Sequence, residues 1–255
     1  MLKVTLLGCG TSSGVPRIGN DWGSCDPNEP KNARTRASIL VESETTSILV
    51  DTSPDMRGQL LAAGVVQIDA ILWTHDHADH CHGIDDVRQL FHHSGAPISG
   101  YARRQTLHQL QQRFTYAFEG RDGYPATVQA HVLPNNLMIG DISIACVDQP
   151  HGNIFSTGFR FCTGGKSVGY ATDFHEITSD MLTLYNGVDV WIVDALRERP
   201  HPTHAHLSRT LEGIEAAKPG RAILTHMDNS MDYVPLKAEL PPGVEPGFDG
   251  MTIVL

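Results

Sequence analysis

No stretch of this 255-residue chain is apolar for long enough to cross a membrane, and the opening run Met1–Gly8 is too short for a secretory signal. Membrane insertion and export are not expected, and a cytoplasmic location is the default. Basic charge is also scarce: 19 Lys and Arg stand against 29 Asp and Glu, a net charge of −10. No basic stripe is available for a phosphate backbone or anionic lipid, so nucleic acid and membrane surfaces are not expected partners. A metal site can still hold an anion locally, so a phosphate substrate survives that exclusion. Cysteine is sparse and scattered, at Cys9, Cys25, Cys81, Cys146 and Cys162, with no C-x-x-C pair. Reduced thiols fit this better than a disulfide framework.

Nor does any repeat, low-complexity tract or linker divide the chain, and its length permits one large core, so residues 1–255 read as a single domain. Apolar runs predict strands over 3–7, 37–42, 47–51, 69–74, 128–133, 141–147, 158–162, 167–172, 188–194, 221–225 and 251–255. Helical spacing marks 54–63, 84–91, 103–118 and the segment carrying Leu207, Leu211, Ile214 and Ala217. Strands punctuated by helices in both halves imply an α/β or α+β fold in layers, two sheets packed together with helices outside.

What the chain has in quantity is histidine, 14 residues, and His75-Asp76-His77-Ala78-Asp79-His80 concentrates three of them with a usable carboxylate. Ile71-Leu72-Trp73-Thr74 leads into it, so it reads as the open end of a buried strand. In extended chain alternate residues face one way, which turns His75, His77 and Asp79 toward one cavity and sends His80 elsewhere, to a second ion close by. Three further apolar runs end in a residue able to bind metal: Val147–Pro150 before His151, Tyr170–Thr172 before Asp173, and Ile223–Thr225 before His226. One such case means little, because polar residues commonly cap strands. Four in one chain are what a site along one rim of a sheet requires.

At these residues the sequence resembles the metallo-β-lactamase-fold metal hydrolases, whose ordered pattern is H-x-H-x-D-H, a lone His, a lone Asp and a lone His. The head Gly8–Pro16, Leu224-Thr225-His226 and the tail Leu240–Met251 narrow the resemblance to the PhnP-like phosphodiesterases, which open a phosphoribosyl cyclic phosphate. Relatives of that type often carry a cysteine cluster that binds a structural zinc. Here that region, Gly19–Asp26, keeps only Cys25, so no structural zinc is expected there.

The resemblance implies an α+β fold with two packed mixed sheets, an αββα four-layer sandwich, and two divalent ions, zinc or manganese, a choice that imidazole and carboxylate ligands suit. His75, His77 and His151 would hold one, Asp79, His80 and His226 the other, with Asp173 bridging and Asp51 bracing the histidine loop. Two dications offset by Asp79 and Asp173 leave a site near +2, which favours a small phosphate ester over a neutral thioester or lactone. Such a pair lowers the pKa of a water enough to attack phosphorus. Asp79 thus counts as catalytic as well as a ligand. His204, followed by Leu207 and Leu211 as in relatives, is assigned as general acid or phosphate contact, with His206 as runner-up. Thr11 and Ser12, in the loop after the first strand, are candidate substrate contacts.

Several residues receive plainer readings. Arg34 and Arg36 are read as solvated strand-edge charges, Asp85 and Asp86 as the first turn of a helix, and Gly164-Gly165 as a hairpin turn. The expected activity is a dinuclear metal-dependent phosphodiesterase acting on a small, cyclic or open, ribose or nucleotide phosphodiester. The alternatives are a tRNA 3′-processing nuclease, for which no basic arm is found, and a non-catalytic ligand-binding accessory protein. A homodimer is compatible with the sequence.

Overall fold

The computed structural model describes residues 1–255. Fourteen strands form two seven-stranded sheets. The first contains β1 (Lys3–Gly8), β2 (Ser38–Glu42), β3 (Ser47–Val50), β4 (Ala70–Leu72), β5 (Ile98–Ala102), β6 (Val128–Val132) and, returning beside β1, β14 (Thr252–Val254). The second runs β7 (Asn136–Ile139), β8 (Ile142–His151), β9 (Ile154–Thr163), β10 (Lys166–Ala171), β11 (Val190–Asp194), β12 (Arg221–Thr225) and β13 (Val244–Pro246). In each sheet three antiparallel pairings are followed by three parallel ones. Helices α1 (Met56–Ala62), α2 (Ala78–Cys81), α3 (Val87–Ser94), α4 (Arg104–Arg113) and α5 (Thr115–Glu119) accompany the first sheet. Helices α6 (Ser179–Tyr185), α7 (Leu207–Ala217) and α8 (Tyr233–Glu239) accompany the second. This is the expected α+β sandwich. No helix is long and apolar enough to cross a membrane.

Strands β2 and β3 show why the layers form. Ile39, Val41, Ile48 and Val50 point into the core between the sheets with Phe159, Phe161, Val168 and Tyr170. Leu40 and Leu49, one residue out of phase, join Leu7, Ile71, Trp73 and Leu107 in a second core under the helices. Because both faces are buried, these strands read as unbroken apolar runs rather than as alternation.

The parallel stretches set the position of the site. Strands β3 and β4 run side by side in one sheet, and β10, β11 and β12 in the other, so each group delivers its carboxyl ends to one rim. Strand β8 is antiparallel to β9, which is antiparallel to β10, so the end of β8 at His151 reaches the same rim as β10.

Several sequence readings need correction. The helix expected over 103–118 breaks at Phe114, whose φ of −121° and ψ of 40° are not helical, into α4 and α5. Asp79 is not on extended chain: the backbone turns helical at Ala78, so α2 carries Asp79 and His80. By contrast, Asp85 and Asp86 do lie in a first helical turn, the 3₁₀ turn Ile84–Asp86 that runs directly into α3. Arg34 is not solvated but 2% exposed. Its guanidinium donates to the carbonyls of Asp228 and Met231 and to Asn32 Oδ1, cross-linking segments about 200 residues apart. Arg36 is half-buried and pairs with Asp55 at 3.0 Å. The hairpin reading at Gly164-Gly165 agrees with the β9–β10 turn.

Removing the Arg34 side chain orphans two buried carbonyls, each worth roughly 1–3 kcal/mol. Arg34→Ala is therefore expected to lower stability by about 3 kcal/mol in urea unfolding. A change under about 0.5 kcal/mol, the level typical of surface residues, would return Arg34 to the solvated class.

Candidate metal centre

Each half of the rim contributes ligands from the ends of its strands. The turn after β3 places Asp51 against the histidine loop. Its Oδ1 accepts from Thr74 N and its Oδ2 from Thr74 Oγ1, both at 2.8 Å, and Oδ2 lies 2.7 Å from His80 Nδ1. Since the Thr74 hydroxyl proton goes to Asp51, the same oxygen accepts from His75 Nδ1 at 3.0 Å. Both imidazoles are thereby held with Nδ1 protonated and Nε2 turned toward the interior of the cluster. His151 Nδ1 donates to the carbonyl of Thr203 at 2.8 Å, which likewise leaves its Nε2 lone pair free, 3.2 Å from His77 Nδ1. Partners of this kind fix the tautomer and ring orientation of metal-binding histidines.

The free atoms converge. Ligand atoms of His75, His77 and His151 lie within 4.8 Å of one another, and so do those of Asp79, His80 and His226. Asp173 stands between the two sets. Its Oδ1 faces His75 Nε2 at 3.9 Å and His151 Nε2 at 3.7 Å, while Oδ2 faces His80 Nε2 at 3.1 Å and His226 Nε2 at 3.6 Å. His75, His80, Asp173 and His226 are almost fully buried, Asp79 is 9% exposed, and His77 lies at the open side.

The Nε2 atoms of His75, His80 and His226 are buried with no hydrogen-bond partner. An unpaired buried polar atom costs roughly 1–3 kcal/mol, and three aimed at one cavity are accounted for by a cation. The donor set of neutral imidazoles and carboxylates, without thiolate, fits zinc or manganese.

Charge in the cluster is arranged in two tiers. Burial, reinforced by the neighbouring His80, holds His75 well below the ordinary histidine range, and burial lowers His151 as well. His80 goes the other way: burial opposes its charge, but Asp173, Asp79 and Asp51 overcome it. For His226 burial is likewise outweighed, by Asp173, Asp79 and Asp194, and its imidazole is held up to about 9. Asp173 is depressed well below the carboxylate range because His226 and His80 reverse the effect of burial, and Asp79 is depressed through His80.

His204 is 14% exposed and joins the cluster from a loop before α7. Its ring stacks on His226 with centroids 5.0 Å apart, and its Nδ1 lies 3.2 Å from Asp194 Oδ2. The same Asp194 oxygen accepts from Asp173 N at 2.9 Å. Asp194 is fully buried, closes β11, and was not singled out from the sequence. The signal was present, since Val190–Val193 is one more apolar run ending in an acidic residue. His206 sits at the N-cap of α7, outside the stacked rings. Thr11 is buried beside the ligand segment, its amide donating to Met227 O at 3.2 Å, and Ser12 next to it is exposed.

Metal uptake must be pH-dependent. With a value of about 9 when folded, against about 6.5 unfolded, His226 stabilises the metal-free protein fully below the unfolded value. That contribution is lost as pH rises through about 9. A cation displaces this proton, so zinc or manganese affinity is expected to rise with pH toward 9, with proton release at pH 7. Calorimetry at pH 7 in two buffers of different ionisation enthalpy should give different heats, and equal heats would contradict the assignment.

The sequence profile of the β-lactamase superfamily domain matches residues 46–227, a span that includes every ligand candidate from His75 to His226. A solved diphosphatase from the PhnP family superposes with a TM-score of 0.90 at 34% identity, covering 99% of this chain and 96% of its own. Zn²⁺-bound PqqB from Methylobacterium extorquens shares the fold, with a TM-score of 0.82 at 19% identity over 99% of this chain and 100% of its own. The octanoyltransferase of Porphyromonas gingivalis is 29% identical over 264 residues, covering 100% of this chain but 52% of that protein. The chain spans about half the length of the curated relatives it matches. From the matched domain and the PhnP-family structure, the chain belongs to the β-lactamase superfamily and, within it, to the PhnP family.

Proposed function

We propose that this chain is a dinuclear metal-dependent phosphodiesterase acting on a small ribose or nucleotide phosphodiester. The observation that carries the reading is Asp173, whose two oxygens face two separate sets of imidazoles, among which the Nε2 atoms of His75, His80 and His226 are unpaired. A carboxylate so placed suits two cations rather than one. Superfamily membership supports a metal-dependent hydrolase, and the PhnP-family relative at 34% identity is a diphosphatase, which favours phosphorus–oxygen cleavage.

In this reading His75, His77 and His151 would hold one ion and Asp79, His80 and His226 the other, with Asp173 available to both. Bound divalent ions supply positive charge for the phosphoryl oxygens and make water acidic enough to attack near neutrality. The protein supplies the rest. Asp51, Thr74 and Thr203 fix the rings of His80, His75 and His151 before substrate arrives, so no reorganisation is needed during reaction. Asp194 holds His204 through Nδ1, and Nε2 of that ring has no protein partner. That arrangement supports His204 as the donor of a proton to the departing alkoxide. The contact of Thr11 with Met227, one residue after His226, supports Thr11 and its neighbour Ser12 as contacts for the phosphate.

General-acid help of this kind contributes about 10²–10⁴ in rate. His204→Ala should lower kcat by about that factor on a nucleoside 2′,3′-cyclic phosphate, whose leaving group is an alkoxide, and less on bis(p-nitrophenyl) phosphate, while metal content stays at ~2 per chain; chelation should abolish activity in both proteins. A variant as active as wild type would remove His204 from the mechanism. Absence of turnover in metal-loaded wild type on every diester offered would favour the accessory-protein reading.

A further inference from the structure

Between Pro16 and Cys25 the chain forms an arm whose side chains take no part in the chemistry above. Arg17 N donates to Asp21 O at 2.9 Å and Asp21 N to Arg17 O at 3.2 Å, closing a hairpin over Ile18, Gly19 and Asn20. Gly19 and Asn20 take the positive φ values, 93° and 60°, that this turn requires. Trp22 Nε1 donates to Asn20 Oδ1 at 2.9 Å and Gly23 N to Asp21 Oδ1 at 2.9 Å, stiffening the arm from within.

The arm is fastened to the segment that follows His226. Asn229 Nδ2 donates to Asp21 Oδ2 at 3.2 Å, Ser24 N donates to Asn229 O at 2.8 Å, and Arg17 Nη2 lies 3.8 Å from Asp228 Oδ2. Gly23 presses so closely on Asn229 that a Cβ there would come within 2.4 Å of its carbonyl oxygen. Three residues of chain reach at most about 11 Å, so Asn229, on which the base of the arm rests, stands within that distance of His226. The loop carrying His201 and His204 is closed by Leu196 N to Ala205 O at 3.1 Å and Leu207 N to Arg197 O at 2.9 Å. Asp228 joins the two: its carboxylate pairs with Arg17, and its amide donates to Leu196 O at 2.9 Å, where the loop closes. Arm and loop are thus both anchored on the segment that directly follows His226.

At the tip of this stiff arm Ile18 is 103% exposed, and Trp22 is half-buried. Ile18 contributes nothing to folding, because it packs on nothing. We propose that the arm selects substrate, holding the planar base of the nucleoside that stays on phosphorus against Ile18 and Trp22. The inference rests on the phosphodiesterase reading. A preorganised apolar surface gains on being covered without an ordering cost. An indole offers a stacking face that any base can use. Asp21 and Asp228 outnumber Arg17 at the base of the arm, so a neutral ring suits it better than a second anion.

The test uses p-nitrophenyl thymidine 5′-phosphate and p-nitrophenyl methyl phosphate, which share a leaving group and differ in the retained substituent. Metal-loaded wild type should prefer the thymidine ester by roughly tenfold or more in kcat/KM. Ile18→Asn and Trp22→Ala should each erase most of that preference, with Ile18→Asn leaving turnover of the methyl ester unchanged. The same preference in wild type and both variants overturns the proposal. So does an Ile18→Asn protein that changes only from dimer to monomer in sedimentation, which would assign the tip to contact between copies. If wild type cleaves neither ester, the phosphodiesterase reading fails, and thymidine 5′-monophosphate binding then decides the arm separately. A Kd weakened roughly tenfold by Ile18→Asn supports it, and an unchanged Kd overturns it.

Discussion

The structure depends on concentrating charge where a protein ordinarily excludes it. Asp51, Asp173 and Asp194 are buried to within 1% exposure and Asp79 to 9%, beside His75, His80, His151 and His226. Burying isolated charges costs several kcal/mol each, so such a cluster persists only if its members are paired or hold a cation. Hydrogen bonds from the protein hold most of the outer edge: Thr74 and His80 on Asp51, Asp173 N and His204 on Asp194, Thr203 O on His151. At the inner edge the Nε2 atoms of His75, His80 and His226 have no protein hydrogen-bond partner, and His226 Nδ1 is unpaired as well. That asymmetry is what a metal centre needs.

The fold provides the rim, and the backbone strains to use it. Asp51, Asp173 and His226, each directly after a β-strand or one residue beyond it, have φ of 65°, 57° and 57°. Left-handed backbone is uncommon for residues other than glycine and costs of order 1–3 kcal/mol at each such site. The turn takes the chain out of the strand direction at the point where a side chain must be aimed across the gap between the sheets. Three such residues at one rim mark the place where local preference yields to the site.

The centre was largely legible because its ligands close apolar strands, a pattern visible in His75, His151, Asp173 and His226 one at a time. Asp194 carries the same mark, but an acid that closes a strand is also an ordinary polar cap, and its partners Asp173 N and His204 meet it only in the folded chain. Arg34 was not legible: its partners are main-chain carbonyls of Asp228 and Met231, and a carbonyl leaves no trace in sequence. Strand β5 was missed because Gly100 weakens its pattern, and the fold explains that glycine, since a Cβ there would come within 2.6 Å of the Trp73 ring. The edge strands β7 and β13 are short, and β13 ends in Pro246, so neither shows alternation. Helices α6 and α8, seven residues each, are too short for periodicity to declare them.

The central claim is that imidazole and carboxylate groups from both sheets, and no thiol, grip two cations. X-ray absorption on the zinc- or manganese-loaded protein tests this directly. The account predicts a first shell of nitrogen and oxygen only, with imidazole scattering that diminishes when His75 or His226 is replaced. A sulfur shell, or a spectrum unchanged by either replacement, would contradict it.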